Sequence, residues 1–148
     1  RKAEKYKHVE WPVPYEPGTI EAIGFNEGKE AAHDENITAG KPFKLSLKLE
    51  NEVTSSGRDT AIITCTVLDE NGVEVPDAAP TVDFYSNRLG RVIATGSDVS
   101  DHTPVTETSR KMRAGRITVA LKAGQESGTL SLYAESEGLI SARLDIEI

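Results

Sequence analysis

Residues 43–50 read Phe43-Lys44-Leu45-Ser46-Leu47-Lys48-Leu49-Glu50, four apolar side chains alternating strictly with four polar ones. A period of two sends successive side chains to opposite faces, so this stretch reads as a half-buried β-strand with its leucines on the core side. The same period recurs down the chain. Ala61, Ile63, Cys65 and Val67 alternate with Ile62, Thr64 and Thr66, and Val82 and Phe84 alternate with Thr81, Asp83 and Tyr85. Ile117, Val119 and Leu121 follow, then Leu130, Leu132 and Ala134. The chain closes on Ala142, Leu144, Ile146 and Ile148, with Arg143, Asp145 and Glu147 on the water side.

Turn chemistry separates these runs. Asp69-Glu70-Asn71-Gly72 is a strong hairpin signal, because Asn-Gly accepts the positive φ angles of a tight turn. Gly124-Gln125-Glu126-Ser127-Gly128 and Glu137-Gly138 are weaker ones. No segment of ten or more residues spaces its apolar side chains for a helix, so at most a short helical turn is expected. Six or seven spaced strands across residues 34–148 predict an all-β, immunoglobulin-like sandwich.

Residues 1–33 read differently. Val9, Trp11, Val13 and Tyr15 alternate, Glu16-Pro17-Gly18 signals a turn, and Ile20, Ala22, Ile23 and Phe25 continue beyond it. This predicts a β-hairpin, with Pro12 and Pro14 confining its first strand to an edge because proline cannot donate to a ladder. Two strands do not make a stable domain. Residues 1–33 are therefore expected to be the C-terminal end of a preceding β-sandwich domain, with a linker at 33–36, and Arg1 reads as a cut inside a longer protein.

Composition narrows the function. The 148 residues are 37% hydrophobic and 5% aromatic, which suits a thin two-sheet core built from Val, Ile, Leu and Ala. A net charge of −7 disfavours nucleic acid, which needs a clustered basic face, and disfavours an anionic membrane surface. The basic run of Arg1, Lys2, Lys5 and Lys7, interrupted by Glu4, reads as a solvated end. No apolar run approaches the roughly 20 residues that span a bilayer. Cys65 is alone, so no internal disulfide is expected, and its strand position suits a small buried thiol.

Two stretches then resemble a known family. Trp11-Pro12-Val13-Pro14-Tyr15-Glu16-Pro17-Gly18-Thr19-Ile20-Glu21-Ala22 is similar to the W-x-V-P-Y-x-P-G-x-L-x-A signature of a β-sandwich domain that follows the catalytic barrel in family 2 glycoside hydrolases of the β-galactosidase type, and Gly28-Lys29 continues the pattern. Ala39-Gly40-Lys41-Pro42, Gly57-Arg58-Asp59, Val67-Leu68-Asp69-Glu70-Asn71-Gly72 and Val75-Pro76-Asp77-Ala78 resemble the C-terminal immunoglobulin-like domain of those enzymes. Gly128-Thr129-Leu130 and Ala134-Glu135-Ser136-Glu137-Gly138-Leu139 extend the likeness to the end of the chain. The segment Gly96-Ser97-Asp98-Val99-Ser100-Asp101-His102 departs from the family's G-N-G-D-P-T-S-H-like loop, so no role carries over to it. The resemblance implies that the catalytic carboxylates sit on an upstream barrel; none of their motifs occurs in these residues.

The residues themselves offer few sites. Ser100, Asp101 and His102 are adjacent on one loop, whereas a triad needs side chains converging from separate elements. Asp98, Asp101 and Glu107 lack the spacing of a Ca²⁺ loop, and His8 and His33 lack the spacing of metal ligands. No catalytic, cofactor-binding or metal-binding residue is assigned. Stacking on a sugar ring needs exposed aromatic faces, and Tyr85, Tyr133, Trp11 and Tyr15 are the candidates for sugar or interdomain contact. The expectation is a non-catalytic C-terminal accessory module, residues 34–148, of a secreted or periplasmic family 2 glycoside hydrolase. Its partners would be the upstream domains, with no nucleic acid and no membrane, and residues 1–33 would favour weak self-association. The alternatives are a carbohydrate-binding module of such an enzyme and a bacterial adhesin immunoglobulin-like repeat; the motif from Trp11 to Ala22 has no reason to precede an adhesin repeat.

Overall fold

A computed structural model describes residues 7–148. Among the described residues there are ten β-strands and no helix. The basic residues Arg1, Lys2 and Lys5 lie outside the described residues. The chain divides into two units, Arg1–Thr38 and Ala39–Ile148.

The first unit contains one antiparallel hairpin, β1 (Thr19–Asn26) and β2 (Lys29–Ile37), in register from Thr19 opposite Ile37 to Asn26 opposite Lys29. The hairpin expected to turn at Glu16-Pro17-Gly18 turns instead at Glu27-Gly28. Both turn residues have left-handed backbones, φ 50° and 77°, the pairing a two-residue type I′ turn requires. Residues 7–18 form no strand. Pro12, Pro14 and Pro17 remove three donors from that stretch, so a ladder on it would be left incomplete. The linker expected at 33–36 is strand as well. β2 continues through it because Ile20, Glu21, Ala22 and Ile23 supply partners, and Gly18 and Thr38 close the open end through a Thr38 N–H to Gly18 carbonyl bond of 2.8 Å.

The second unit is a sandwich of two four-stranded antiparallel sheets. One has the order β3 (Lys44–Leu49), β4 (Thr60–Leu68), β8 (Arg116–Ala123), β6 (Gly90–Gly96); the other has the order β10 (Ala142–Glu147), β9 (Thr129–Glu135), β5 (Thr81–Ser86), β7 (Ser109–Lys111). Taken in chain order, β3-β4-β8-β6 corresponds to the A-B-E-D sheet of a constant-type immunoglobulin fold and β10-β9-β5 to its G-F-C sheet. The short β7 is an addition beside β5.

The alternating residues read from the sequence line the space between the sheets. Ala61, Ile63, Cys65 and Val67 face Val82, Phe84, Leu130, Leu132 and Ala134, and all are buried. Burial in this apolar layer pushes the Cys65 thiol up to about 12, because the thiolate would lose its hydration. Phe43, expected inside, lies before β3 and is 39% exposed. Its N–H donates to the Leu68 carbonyl and its carbonyl takes the Ile140 N–H, so the backbone is held at the sheet edge while the side chain stays partly in water.

The two open edges of the sandwich are closed by different means. At one, Lys44 bridges Ile140 in parallel, and the Leu45 N–H donates to the Ile140 carbonyl at 2.9 Å. At the other, β7 carries Arg110 inward, opposite Val82 and 3% exposed. Its guanidinium donates to Thr95 Oγ1 of β6 at 2.8 Å, to the carbonyls of Thr103 and Pro104 at 3.1 and 2.7 Å, and to the Asp101 carboxylate. One buried cation thereby ties both edge strands to the loop of residues 97–108.

Candidate functional site

On the β10-β9-β5-β7 sheet, the residues that alternate with the core form an outer face. Register sets Tyr85 of β5 opposite Tyr133 of β9, and Tyr133 opposite Arg143 of β10. Directly opposed side chains stand about 5 Å apart in an antiparallel pair. The two rings accordingly stack, with centroids 5.0 Å apart and planes 10° from parallel. The Arg143 guanidinium lies 5.5 Å from the Tyr133 centroid, a cation–π contact. Tyr133 is thus covered by Tyr85 and by Arg143, whereas Tyr85 is 44% exposed.

The two ends of the row are held by hydrogen bonds to carboxylates on the same face. Arg143 Nε donates to Asp145 at 2.8 Å, and the Ser131 hydroxyl donates to the same carboxylate oxygen at 2.6 Å. These donors hold the Asp145 carboxyl below the usual carboxylate range, the Arg143 bond contributing most. The same pairing raises Arg143 above the usual guanidinium value. The Tyr85 hydroxyl donates to Glu135, which favours the protonated phenol and pushes its pKa up. Asp83 and Glu147 complete the face, so the row stands among four exposed carboxylates: Asp83, Glu135, Asp145 and Glu147.

The other residues singled out in the sequence sit elsewhere. Trp11 and Tyr15 belong to the first unit, in the strandless stretch before β1, and are 56% and 79% exposed. Asp101 is turned onto Arg110 and takes the Thr103 N–H at 2.9 Å; the Thr103 bonds and the guanidinium together hold its carboxyl far below the usual range. Ser100 bonds back to Asp98 through both its N–H and its hydroxyl. Ser100, Asp101 and His102 are therefore not aligned as nucleophile, base and orienter. Among the described residues, no three His, Cys, Asp or Glu side chains gather as a metal site.

Arg143, Glu135 and Arg110 escaped the sequence reading. The alternation placed Arg143 on the water side, but only the paired strands show which tyrosine Arg143 and Glu135 each meet. Arg110 sits in a three-residue strand too short to show a period.

A constant-type sandwich with an added edge strand and a preceding strand pair places this chain among modular immunoglobulin-like domains. Residues 45–145 match Glycoside hydrolase family 2 C-terminal domain 5, and residues 1–32 match a domain family of unknown function. Beta-galactosidase BoGH2A of Bacteroides ovatus is 35% identical over 145 residues, 94% of this chain and 17% of that protein. A beta-galactosidase of Thermoanaerobacter pseudethanolicus is 34% identical over 119 residues, 80% of this chain and 14% of that protein. Among solved structures, a beta-glycosidase from Bacteroides vulgatus superimposes with a TM-score of 0.86 at 27% identity, covering 93% of this chain and 18% of that one. The chain belongs to the glycoside hydrolase family 2 C-terminal domain family. It spans under a fifth of the length of each of these relatives.

Proposed function

We propose that this chain is the non-catalytic C-terminal accessory region of a family 2 glycoside hydrolase of the β-galactosidase type, secreted or periplasmic, and that it packs on the upstream domains and helps to shape access to their site. The observation that carries this reading is the alignment of nearly the whole chain with a sixth of a beta-galactosidase.

The titration of its carboxylates supports the non-catalytic part. Glycosidic cleavage needs one carboxyl raised in pKa to act as general acid beside a second that stays ionised. Among the described residues the carboxyls that shift, Glu50, Asp59, Asp69, Asp98, Asp101 and Asp145, all shift downward, because hydrogen-bond donors stabilise their charged forms. Each is being used as an acceptor that fixes a turn or a side chain. Asp69, for example, takes the N–H groups of Gly40 at 2.7 Å, Asn71 at 2.9 Å and Val73 at 2.8 Å.

The test is hydrolysis of aryl β-galactosides and related aryl glycosides by the purified 148-residue chain. Rates at the uncatalysed background are expected. Turnover that survives repurification and is abolished by replacing one Asp or Glu of this chain would overturn the reading.

A further inference from the structure

The accessory role leaves the outer face of the β10-β9-β5-β7 sheet without a use, and that face is built in an ordered way. Tyr85 is braced on one side only. Tyr133 covers that side, Arg143 backs Tyr133, and Asp145 and Ser131 hold Arg143. The Tyr85 hydroxyl is fixed by Glu135. An exposed tyrosine normally samples several side-chain positions; here stacking and hydrogen bonding hold this one upright.

Among the described residues no ring or cation lies on its second side, and the residue is 44% exposed. Strand β7 pairs with Thr81, Val82 and Asp83, and the Phe84 N–H carries the contact one residue further onto the Thr108 carbonyl at 2.9 Å; among the described residues no backbone bond from that side reaches Tyr85. At the border of that side the register places Asp83 directly opposite Ser109 on one flank and Glu135 on the other. Among the described residues, neither the Asp83 carboxylate nor the Ser109 hydroxyl has a side-chain partner. Asp83 and Glu135 are also like charges in opposed positions, an arrangement that costs stability unless a donor lies between or over them.

We propose that Tyr85 is the platform of a saccharide subsite that takes a neutral pyranose unit of a glycan. The apolar C–H face of the sugar would lie on the side of the ring turned away from Tyr133. Its hydroxyls would donate to Asp83 and exchange a hydrogen bond with Ser109, the pair on that flank of β5. A planar, rigid aromatic face beside unpaired acceptors is the combination that a polyhydroxylated ring with one apolar face requires, since the face needs burial and the hydroxyls need partners. The four carboxylates around the row select against uronic acids and sulfated sugars, which would bring like charge to the same place. The subsite is independent of whether the parent enzyme cleaves the same glycan.

The test is an amide-resolved NMR titration of the full 148-residue chain with β-1,4-galactotetraose, cellotetraose, xylotetraose and mannotetraose, with trigalacturonic acid as the charged control. At least one neutral tetrasaccharide should give saturable shifts, confined to amides of β5, β7 and β9, with a Kd in the millimolar range or below; the charged control should bind more weakly. Tyr85→Ala should weaken binding about tenfold or more, whereas Tyr85→Phe, which keeps the face, should stay within about threefold. Asp83→Ala leaves the ring in place and should lose about threefold or more through the missing acceptor. Absence of shifts with all four neutral sugars at about 10 mM would overturn the proposal. So would equal affinity in Tyr85→Ala, or tighter binding of the charged control.

Discussion

Arg110 and Asp101 form an ion pair inside the β6–β7 edge of the sandwich, with side chains only 2% and 12% exposed. Asp101 thereby supplies the negative charge for a cation that the fold has turned inward. The two partners are not equivalent. Removing Arg110 leaves a carboxylate that is the more exposed of the two and still accepts the Thr103 N–H, whereas removing Asp101 leaves a guanidinium buried with only carbonyl and hydroxyl partners. Arg110→Met should therefore cost no more than about 2 kcal/mol, because an apolar side chain of similar length suits its place opposite Val82. Asp101→Ala should lower the thermal midpoint further than Arg110→Met does. The double variant should be more stable than Asp101→Ala alone. Additive losses in this cycle would show that the pair does not hold the edge.

The downward carboxylate shifts fix the sign of the acid limb. Above the ordinary carboxylate range these groups are ionised in both folded and unfolded chains, so their hydrogen bonds contribute in full. As the pH falls toward their lowered folded values, the unfolded chain takes up protons first and stability is lost. Asp101, Asp98, Asp59, Asp69 and Asp145 all act in this direction. The thermal midpoint should be flat near neutrality and fall below about pH 4. Cys65 acts at the other end. Its folded value is raised from 9.0 to about 12, so its contribution is complete below 9 and lost as the pH climbs through that window. Cys65→Ala should lose less stability between pH 8 and 11 than the parent chain, as followed by thermal melts across the series.

Two glycines with the same backbone separate strain from crowding. Gly115 has φ +67°, and a Cβ there would stand 2.2 Å from the Val75 carbonyl oxygen. Gly138 has φ +76° and nothing within 4 Å. Gly138→Ala should cost only the left-handed backbone, about 1 kcal/mol. Gly115→Ala must in addition push apart the residues that bond across it, where Val67 N–H meets the Gly115 carbonyl at 2.9 Å, and should cost more than about 3 kcal/mol. Equal denaturation midpoints for the two variants would refute the close approach.

Where a strand runs long enough to alternate, the sequence shows it: Leu45, Ile63, Val119 and Leu132 were assigned inward and lie inward. Short or irregular strands are illegible for a physical reason. β6 carries a bulge between Val92 and Ala94 that breaks the period, and β7 has too few residues to express one. These omissions explain why the sandwich has eight strands where six or seven were expected. The hairpin turn was misplaced because Pro-Gly is a louder turn signal than Glu27-Gly28, although only the latter leaves donors on both sides. The tyrosine row was half legible. Tyr85 shows its outward position in its own strand, but its stacking on Tyr133 depends on register between strands 48 residues apart.

The division after Thr38 predicts that the sandwich is self-sufficient. Among the described residues, every buried apolar side chain lies at or beyond Leu45, so residues 7–38 contribute none of that core. The hairpin, in contrast, is exposed along both strands, with Ile20 53%, Ile23 44% and Phe25 67% exposed. Two strands with no covered face are marginal in water, so the hairpin draws no stability of its own and its apolar side chains are free to meet those of another molecule. A chain of residues 39–148 should fold with a thermal midpoint within about 2 °C of the full chain. Cutting at residue 34 instead would sever β2 inside its ladder and leave residues 34–37 as an unpaired tail. In sedimentation the 148-residue chain should associate weakly and reversibly with concentration, and residues 39–148 should remain monomeric. If the shortened chain fails to fold, or its midpoint falls by more than about 5 °C, the hairpin is part of the sandwich's own stability and the boundary after Thr38 is wrong.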